Sequence, residues 1–307
     1  MKAGKTPKVR RRLFYRIGQW VAGRAVRRGP ETIRRWGERI GRWHHAMARG
    51  ERRRLARDIA IALDLPVDLA ARHLARAWRI NDRAVFELLA MADPRCRVEA
   101  LAETLTIDGT EALPPNGSGA ILLGMHMGNG VLMAGKLSRQ HRPVHVVAKA
   151  PRRLAPGTLE ASIRHAGAIP LMIDRANPGR AFREMHGVLR SGGLLFVLLD
   201  QGTKEGGRTV TFLGKPVQMP EGVPRLAARL GVPVLPVLLE EADAGWRFRI
   251  HPPLAGHNAD ELLIAACTAM ENHVRAHPDL WSWHQRRWRR YAFTQPPSTP
   301  EGVAPCP

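Results

Sequence analysis

At 307 residues and 44% apolar content, the chain can build one large α/β domain with a helical extension, or two modest domains; it is not a disordered tail protein. Its 48 Lys and Arg against 27 Asp and Glu leave a net +21, a field that favours polyanionic partners such as nucleic acid, an anionic leaflet or an acidic carrier protein. Three scattered cysteines (Cys96, Cys267, Cys306) exclude a disulfide framework or a cysteine zinc site, and no run reaches the roughly 18–20 apolar residues that would cross a bilayer.

The basic excess is concentrated at the start, where residues 1–57 hold 19 Lys and Arg against Glu31, Glu38 and Glu51. This stretch lacks the apolar core and small-residue cleavage site of a signal peptide, so an intracellular protein with at most peripheral membrane contact is expected. Residues 10–50 read as basic helices broken at Gly29-Pro30. Leu13, Phe14, Ile17, Trp20, Val21 and Val26 fall near one face of the first; Ile33, Trp36, Ile40 and Trp43 follow at three- and four-residue steps in the second. Apolar and indole side chains with arginines beside them suit a helix lying among lipid headgroups, and equally one packed on its own domain. Helices continue over 51–92, through Leu55, Ile59 and Leu63, then Leu69, Leu74, Trp78, Val85, Leu88 and Leu89, with a turn near Leu65-Pro66.

From residue 105 the rhythm changes. Strand-like runs at Leu105–Ile107, Ala120–Met125, Val144–Ala148, Ile169–Ile173, Leu194–Leu199, Val210–Phe212, Val234–Leu239 and Phe248–His251 alternate with helical stretches near 130–140, 157–166, 178–190, 221–230 and 259–276. That alternation predicts an α/β domain with a mixed, largely parallel β-sheet flanked by helices. The expected organisation is a basic helical region over 1–104, an α/β domain over 105–292 and a disordered Pro-, Ser- and Thr-rich tail over 293–307.

The apolar run 120–125 ends on His126 and opens at once into Gly128-Asn129-Gly130. This places an imidazole at a strand's carboxyl end, the edge where open α/β sheets bind ligands. Glycines allow the tight turn, and the helix behind offers free N–H groups to an anion or oxyanion. A neutral imidazole there can take a proton from an acceptor hydroxyl; the bland alternative is a histidine capping its strand. No Asp or Glu lies between His126 and Glu160. Asp200 and Asp174 each end another strand, where a carboxylate could face the imidazole or simply cap a turn. Lys149, Arg152 and Arg153 follow one strand end, where Lys149 could reach a phosphate, and Arg175 and Arg180 flank another; a solvated surface suits all five better. Lys215-Pro216 reads as a turn. Trp283, Trp288, Arg286 and Arg287 suit either a lipid interface or a packed C-terminal helix.

Several blocks, in order, resemble the lipid A biosynthesis acyltransferase family and its relatives that acylate phosphatidylinositol mannosides. His126-Met127-Gly128-Asn129 is similar to the family's His-x-Gly-Asn-Trp-Glu block. Leu199-Asp200-Gln201 followed by Phe212-Leu213-Gly214-Lys215-Pro216 is similar to its Asp-Gln and Phe-Phe-Gly-x-Pro segments, and Gly222–Pro236 to the helix and strand after them. Pro278-Asp279-Leu280-Trp281-Ser282-Trp283 with Arg287-Trp288 resembles its closing Pro-x-x-Trp-x-Trp-x-x-x-Arg-Trp signature. One departure stands out: the family's acid five positions after the histidine is Val131 here, and its tryptophan is Gly130.

The resemblance implies a glycerolipid-acyltransferase-like fold and a peripheral enzyme on the cytoplasmic face of the inner membrane. It would move a fatty acyl group from acyl carrier protein or acyl-CoA to a hydroxyl of a glycolipid or related lipid. His126 would be the base, Asp200 its partner, and Gly128, Asn129, Gly130, Lys149, Gln201 and Arg175 would meet substrate. No metal or redox cofactor is implied. Val131 keeps open a catalytically silent relative that binds lipid or carrier protein. A nucleic-acid-binding reading of the basic start lacks any recognition motif.

Overall fold

The computed structural model describes residues 8–150, 154–174, 177–203, 207–243 and 245–283. Helices α1 (Lys8–Val26), α2 (Pro30–Met47), α3 (Arg49–Leu63), α4 (Val67–Met91) and the single turn α5 (Val98–Leu101) precede the first strand. Gly29, at φ 97°, ends α1 in a conformation that glycine adopts cheaply, and Pro30 then starts α2 with its φ already helical. Asp64, at φ 53°, closes α3 before Pro66 caps α4.

The apolar stripe expected along α1 and α2 divides in two. Ala22, Ala25, Val26 and Ile33 are buried, whereas Trp20 (60% exposed), Trp43 (66%), Met47, Ile17 and Ile40 face outward. On α2 the cause is its close approach to α4. A Cβ on Gly37 would stand 2.9 Å from the Cα of Arg83, and one on Gly41 2.8 Å from the Cα of Arg79. Only small residues fit between backbones that near, so the indoles are turned away. On α4, Trp78 is buried as its spacing suggests, but Val85 is exposed.

Strands β1 (Leu105–Asp108) and β2 (Ala120–Gly124) lead into α6 (Gly130–Gln140), β3 (Val144–Ala148), α7 (Thr158–His165), β4 (Ile169–Met172), α8 (Pro178–Arg190) and β5 (Leu194–Leu198). The hairpin β6 (Gly207–Phe212) and β7 (Lys215–Pro220) follows, then α9 (Gly222–Leu230), β8 (Val234–Glu241), β9 (Trp246–Ile250) and α10 (Ala259–Ala276). Seven strands form one sheet in the order β1-β9-β8-β2-β5-β3-β4. Every described pairing in it is parallel except β8 with β9, so the architecture is the mixed, largely parallel α/β sheet that the alternation predicts. The central strand β2 is buried along its whole length, as its unbroken apolar run requires.

One local expectation is corrected. Lys215 and Pro216 begin β7 rather than forming the turn, which falls on Leu213 (φ 50°) and Gly214 (φ 74°). Two successive positive φ values make the tight hairpin turn whose twist matches the flanking strands. Val210–Phe212 therefore belongs to a separate two-stranded ribbon and not to the main sheet. Pro216 is tolerated there because a two-stranded ribbon has only edge strands. Trp283 is also settled by packing. It is buried, donates its indole N–H to the Pro278 carbonyl at 2.6 Å and meets the Trp281 ring edge-on, so it is no interface residue. Arg286, Arg287, Trp288 and the 293–307 tail lie outside the described residues.

Candidate active site

Strands β2 and β5 are parallel neighbours, with Gly124 opposite Leu198, so the residues just past their carboxyl ends emerge side by side. Leu199 N–H donates to the Gly124 carbonyl at 3.2 Å and extends the pairing by one step. One residue further, the backbone N–H of His126 donates to Asp200 Oδ2 at 3.0 Å, and its ring Nδ1 lies 2.6 Å from Oδ1. The residues are 74 apart in sequence and meet at both oxygens of one carboxylate. Trp281 Nε1–H donates to Oδ2 at 2.9 Å as a third contact. The Asp200 side chain is fully buried, while that of His126 keeps 21% of its surface. A buried carboxylate needs donors to stay charged, and here two neutral N–H groups and the imidazole supply them.

This geometry assigns the ring's proton. An ionised carboxylate only accepts, so Nδ1 carries the hydrogen and Nε2 presents its lone pair on the far side. The amide Nε2 of Gln201, an exposed residue, lies 2.7 Å from that lone pair and is its donor. The carboxylate thus orients the imidazole from behind, with Nε2 on the side of the exposed Gln201.

The turn after His126 is built from the packing inward. Gly128 stands at φ +56°, and a Cβ there would meet Leu239 Cδ2 at 2.9 Å and the Trp246 ring at 3.0 Å. A Cβ on Gly130 would meet the Phe196 ring at 2.9 Å. Phe196 thus fills the space beside the position where the resemblance expects a tryptophan. Asn129 is buried. Its Oδ1 accepts from Leu132 N–H and caps α6, and its Nδ2 donates to Glu87 Oε2 at 3.0 Å. Val131 is half-buried and packed on the core.

Glu87 anchors a network that sequence reasoning missed. Besides Asn129 it accepts from Trp246 Nε1 at 2.8 Å and from Arg83 Nε at 2.8 Å. Arg83 also donates to the Ala242 carbonyl and lies over the Trp246 ring at 3.9 Å. Arg83 and Glu87 are one helical turn apart and both buried, which a bare sequence presents as an ordinary surface ion pair. Trp281 was likewise legible only as part of a closing signature.

The remaining candidates are dispersed. Lys149 is exposed just past β3 and Asp174 exposed past β4, at the ends of other strands than those that carry His126 and Asp200. Arg180 pairs with Glu184 at 2.8 Å on α8. Arg152, Arg153 and Arg175 lie outside the described residues. Burial pushes the thiols of Cys96 and Cys267 up to about 12, far from a ready nucleophile. Among the described residues, no group of three or more His, Cys, Asp or Glu side chains is placed to hold a metal ion.

Comparison with known proteins finds acyltransferases among the proteins this chain resembles. The chain is 26% identical over 187 residues to phosphatidylinositol mannoside acyltransferase from Mycobacterium tuberculosis, strains H37Rv and CDC 1551 alike. That alignment covers 59% of this chain and 58% of the relative, so the match spans little more than half of each. The crystal structure of the 1-acyl-sn-glycerophosphate (LPA) acyltransferase PlsC from Thermotoga maritima superposes with a TM-score of 0.39 at 20% identity, over 69% of this chain and 84% of that one. The model of the bacterial lipid A biosynthesis acyltransferases matches from residue 8 to residue 290, through both strand ends and the Trp281 segment, and to that family this chain belongs.

Proposed function

We propose that the protein is a membrane-associated acyltransferase that moves a fatty acyl group from an acyl carrier protein or CoA thioester to a hydroxyl of a glycolipid or related lipid. The observation that carries this reading is the His126 ring, held at Nδ1 by Asp200 with Nε2 turned outward. An acceptor hydroxyl taking the place of the Gln201 amide would give its proton to Nε2 as its oxygen attacks the thioester carbonyl. The tetrahedral intermediate then collapses, the C–S bond breaks, and the proton passes from Nε2 to the departing thiolate. Asp200 stabilises the imidazolium between those two transfers, the role a buried carboxylate plays in hydrolytic triads. Gln201, released from the ring, is placed to donate to a substrate oxygen. Asp200 thereby supplies what the acid at position 131 would have supplied.

Membrane association draws on α1 and α2. Ile17 and Trp20 lie three residues apart, and Ile40, Trp43 and Met47 share one face of α2, all exposed among the exposed Arg16, Arg24, Arg35, Arg39 and Arg42. Arg24 lies over the Trp20 ring at 5.1 Å. Outward indoles ringed by guanidinium groups suit the headgroup layer of an anionic leaflet, here the cytoplasmic face of the inner membrane. Among the described residues, no helix is long and apolar enough to cross a membrane. In this reading residues 1–104 dock and 105–292 carry the chemistry.

A second reading, a silent relative that binds lipid or carrier protein, rests on Val131. The deciding experiment supplies radiolabelled acyl carrier protein and acyl-CoA donors with bacterial lipid extract. Transfer by the protein and its loss in His126→Ala support the enzyme. No turnover with either donor supports the silent relative.

A further inference from the structure

The segment after α10 turns back across the sheet and touches both members of the His126–Asp200 pair. Ser282 N–H donates to the His126 carbonyl at 3.1 Å, and the Trp281 indole N–H donates to Asp200 Oδ2 at 2.9 Å. Trp281 is buried, stacked edge-on between Phe212 at 5.9 Å and Trp283 at 4.6 Å. The segment is itself tied to α4, through Asn81 Nδ2 on the Leu280 carbonyl at 3.0 Å and the Arg76–Asp279 ion pair at 2.7 Å. A side chain wedged between two rings has one rotamer to offer, so its N–H direction is preset.

We propose that Trp281 is a positioning residue for the acyl transfer: its indole N–H fixes the Asp200 carboxylate and draws off part of the negative charge that the carboxylate presents to His126. The inference rests on the reading of His126 as the base. Oδ2 already receives the His126 backbone N–H, so the indole is its second donor, while Oδ1 faces the ring. With the indole donor gone, Oδ2 would lose one of the two donors described at it, and the carboxylate would be held less firmly about its terminal bond. Its charge would also be less spread, and the imidazolium form of His126 would be held to higher pH. The ring would then be less often in the basic form that takes the acceptor's proton. Asp200 is a charged group in contact with the ring; the Gln201 amide and the Ser282 N–H, which also touch His126, do not titrate.

Trp281→Phe keeps an aromatic ring in the slot and removes the donor. Its control is Trp283→Phe, which removes an indole hydrogen bond from the same cluster, to Pro278 and not to Asp200. The assay is acyl transfer by the full chain against pH, using the donor that supports turnover. For Trp281→Phe, kcat falls about tenfold or more with KM within about twofold, and the acidic limb of the profile moves to higher pH. Trp283→Phe keeps both the rate and the limb while losing comparable thermal stability. If Trp281→Phe does not fold, benzothienylalanine at position 281, with sulfur in place of the indole N–H, is expected to give the same result. A position-281 variant matching Trp283→Phe in rate and pH profile overturns the proposal. Retained turnover in His126→Ala would instead remove the base reading beneath it.

Discussion

Asp200 accepts from His126 twice, once from the backbone N–H and once from the ring, so one carboxylate fixes both the position and the tautomer of a single residue. Asp200→Asn keeps the size but offers a mixed amide with one acceptor. It cannot take both hydrogen bonds unless the ring flips its proton to Nε2. Acyl transfer in Asp200→Asn is therefore expected to fall by about a hundredfold or more in kcat, with KM little changed. A loss smaller than tenfold in steady-state assays would mean that another group orients the ring.

The outward indoles make a separate prediction. Trp20→Ser with Trp43→Ser removes the largest exposed apolar groups of α1 and α2 without touching the buried face. Retention on vesicles rich in anionic lipid should drop by about tenfold or more, since each buried large side chain is worth on the order of 1.5–3 kcal/mol. Raised salt should weaken the remaining arginine-driven binding. Unchanged co-sedimentation of the double variant would assign this face to something other than lipid.

Glu87 is a buried charge shared among Arg83, Trp246 and Asn129. Glu87→Ala leaves the Arg83 guanidinium buried without its main partner, which typically costs about 3–5 kcal/mol. A large fall in the denaturation midpoint is expected. Activity per folded molecule should fall too, because Asn129 loses the partner that holds the turn after His126. A variant as stable as the parent would show that Arg83 finds full compensation in the Ala242 carbonyl and in Glu38, whose carboxylate lies 3.6 Å from its Nη1.

His273 carries a pH dependence of stability. Burial, partly offset by its hydrogen bond to the Leu239 carbonyl, pushes the imidazole from 6.5 down to about 4. A histidine depressed in the folded state binds fewer protons than in the unfolded chain, so its contribution is complete above about pH 6.5. It is lost as pH falls from there toward 4, by up to about 3 kcal/mol. His273→Gln should flatten that part of the stability profile in urea titrations at pH 7.5, 5.5 and 4.5. Parallel profiles for parent and variant would exclude His273 as the source.

Much of the fold was legible because its signals are local. Buried strands such as 120–124 and 194–198 are unbroken apolar runs, and Gly29-Pro30 punctuates two helices as its chemistry requires. What was not legible depends on strand order. Nothing in the run Leu194–Asp200 says that it inserts between β2 and β3, yet that insertion sets Asp200 beside His126. Burial of charge was hidden for the same reason, since Arg83 and Glu87 look like a solvated pair until α2, Asn129 and Trp246 close over them. The indoles of α1 and α2 could be placed on a face, but Gly37 and Gly41, which set α2 against α4 and turn Trp43 outward, read simply as weak helix formers.

The ring of His126 is sealed on one nitrogen and accessible on the other. In the proposed reaction hydrogen ions therefore have a doorway at Nε2, where whatever is taken up can also depart. Two partners, one giving and one receiving, would have to visit that doorway in turn, and the order of their visits would be written in the shape of the mouth above it.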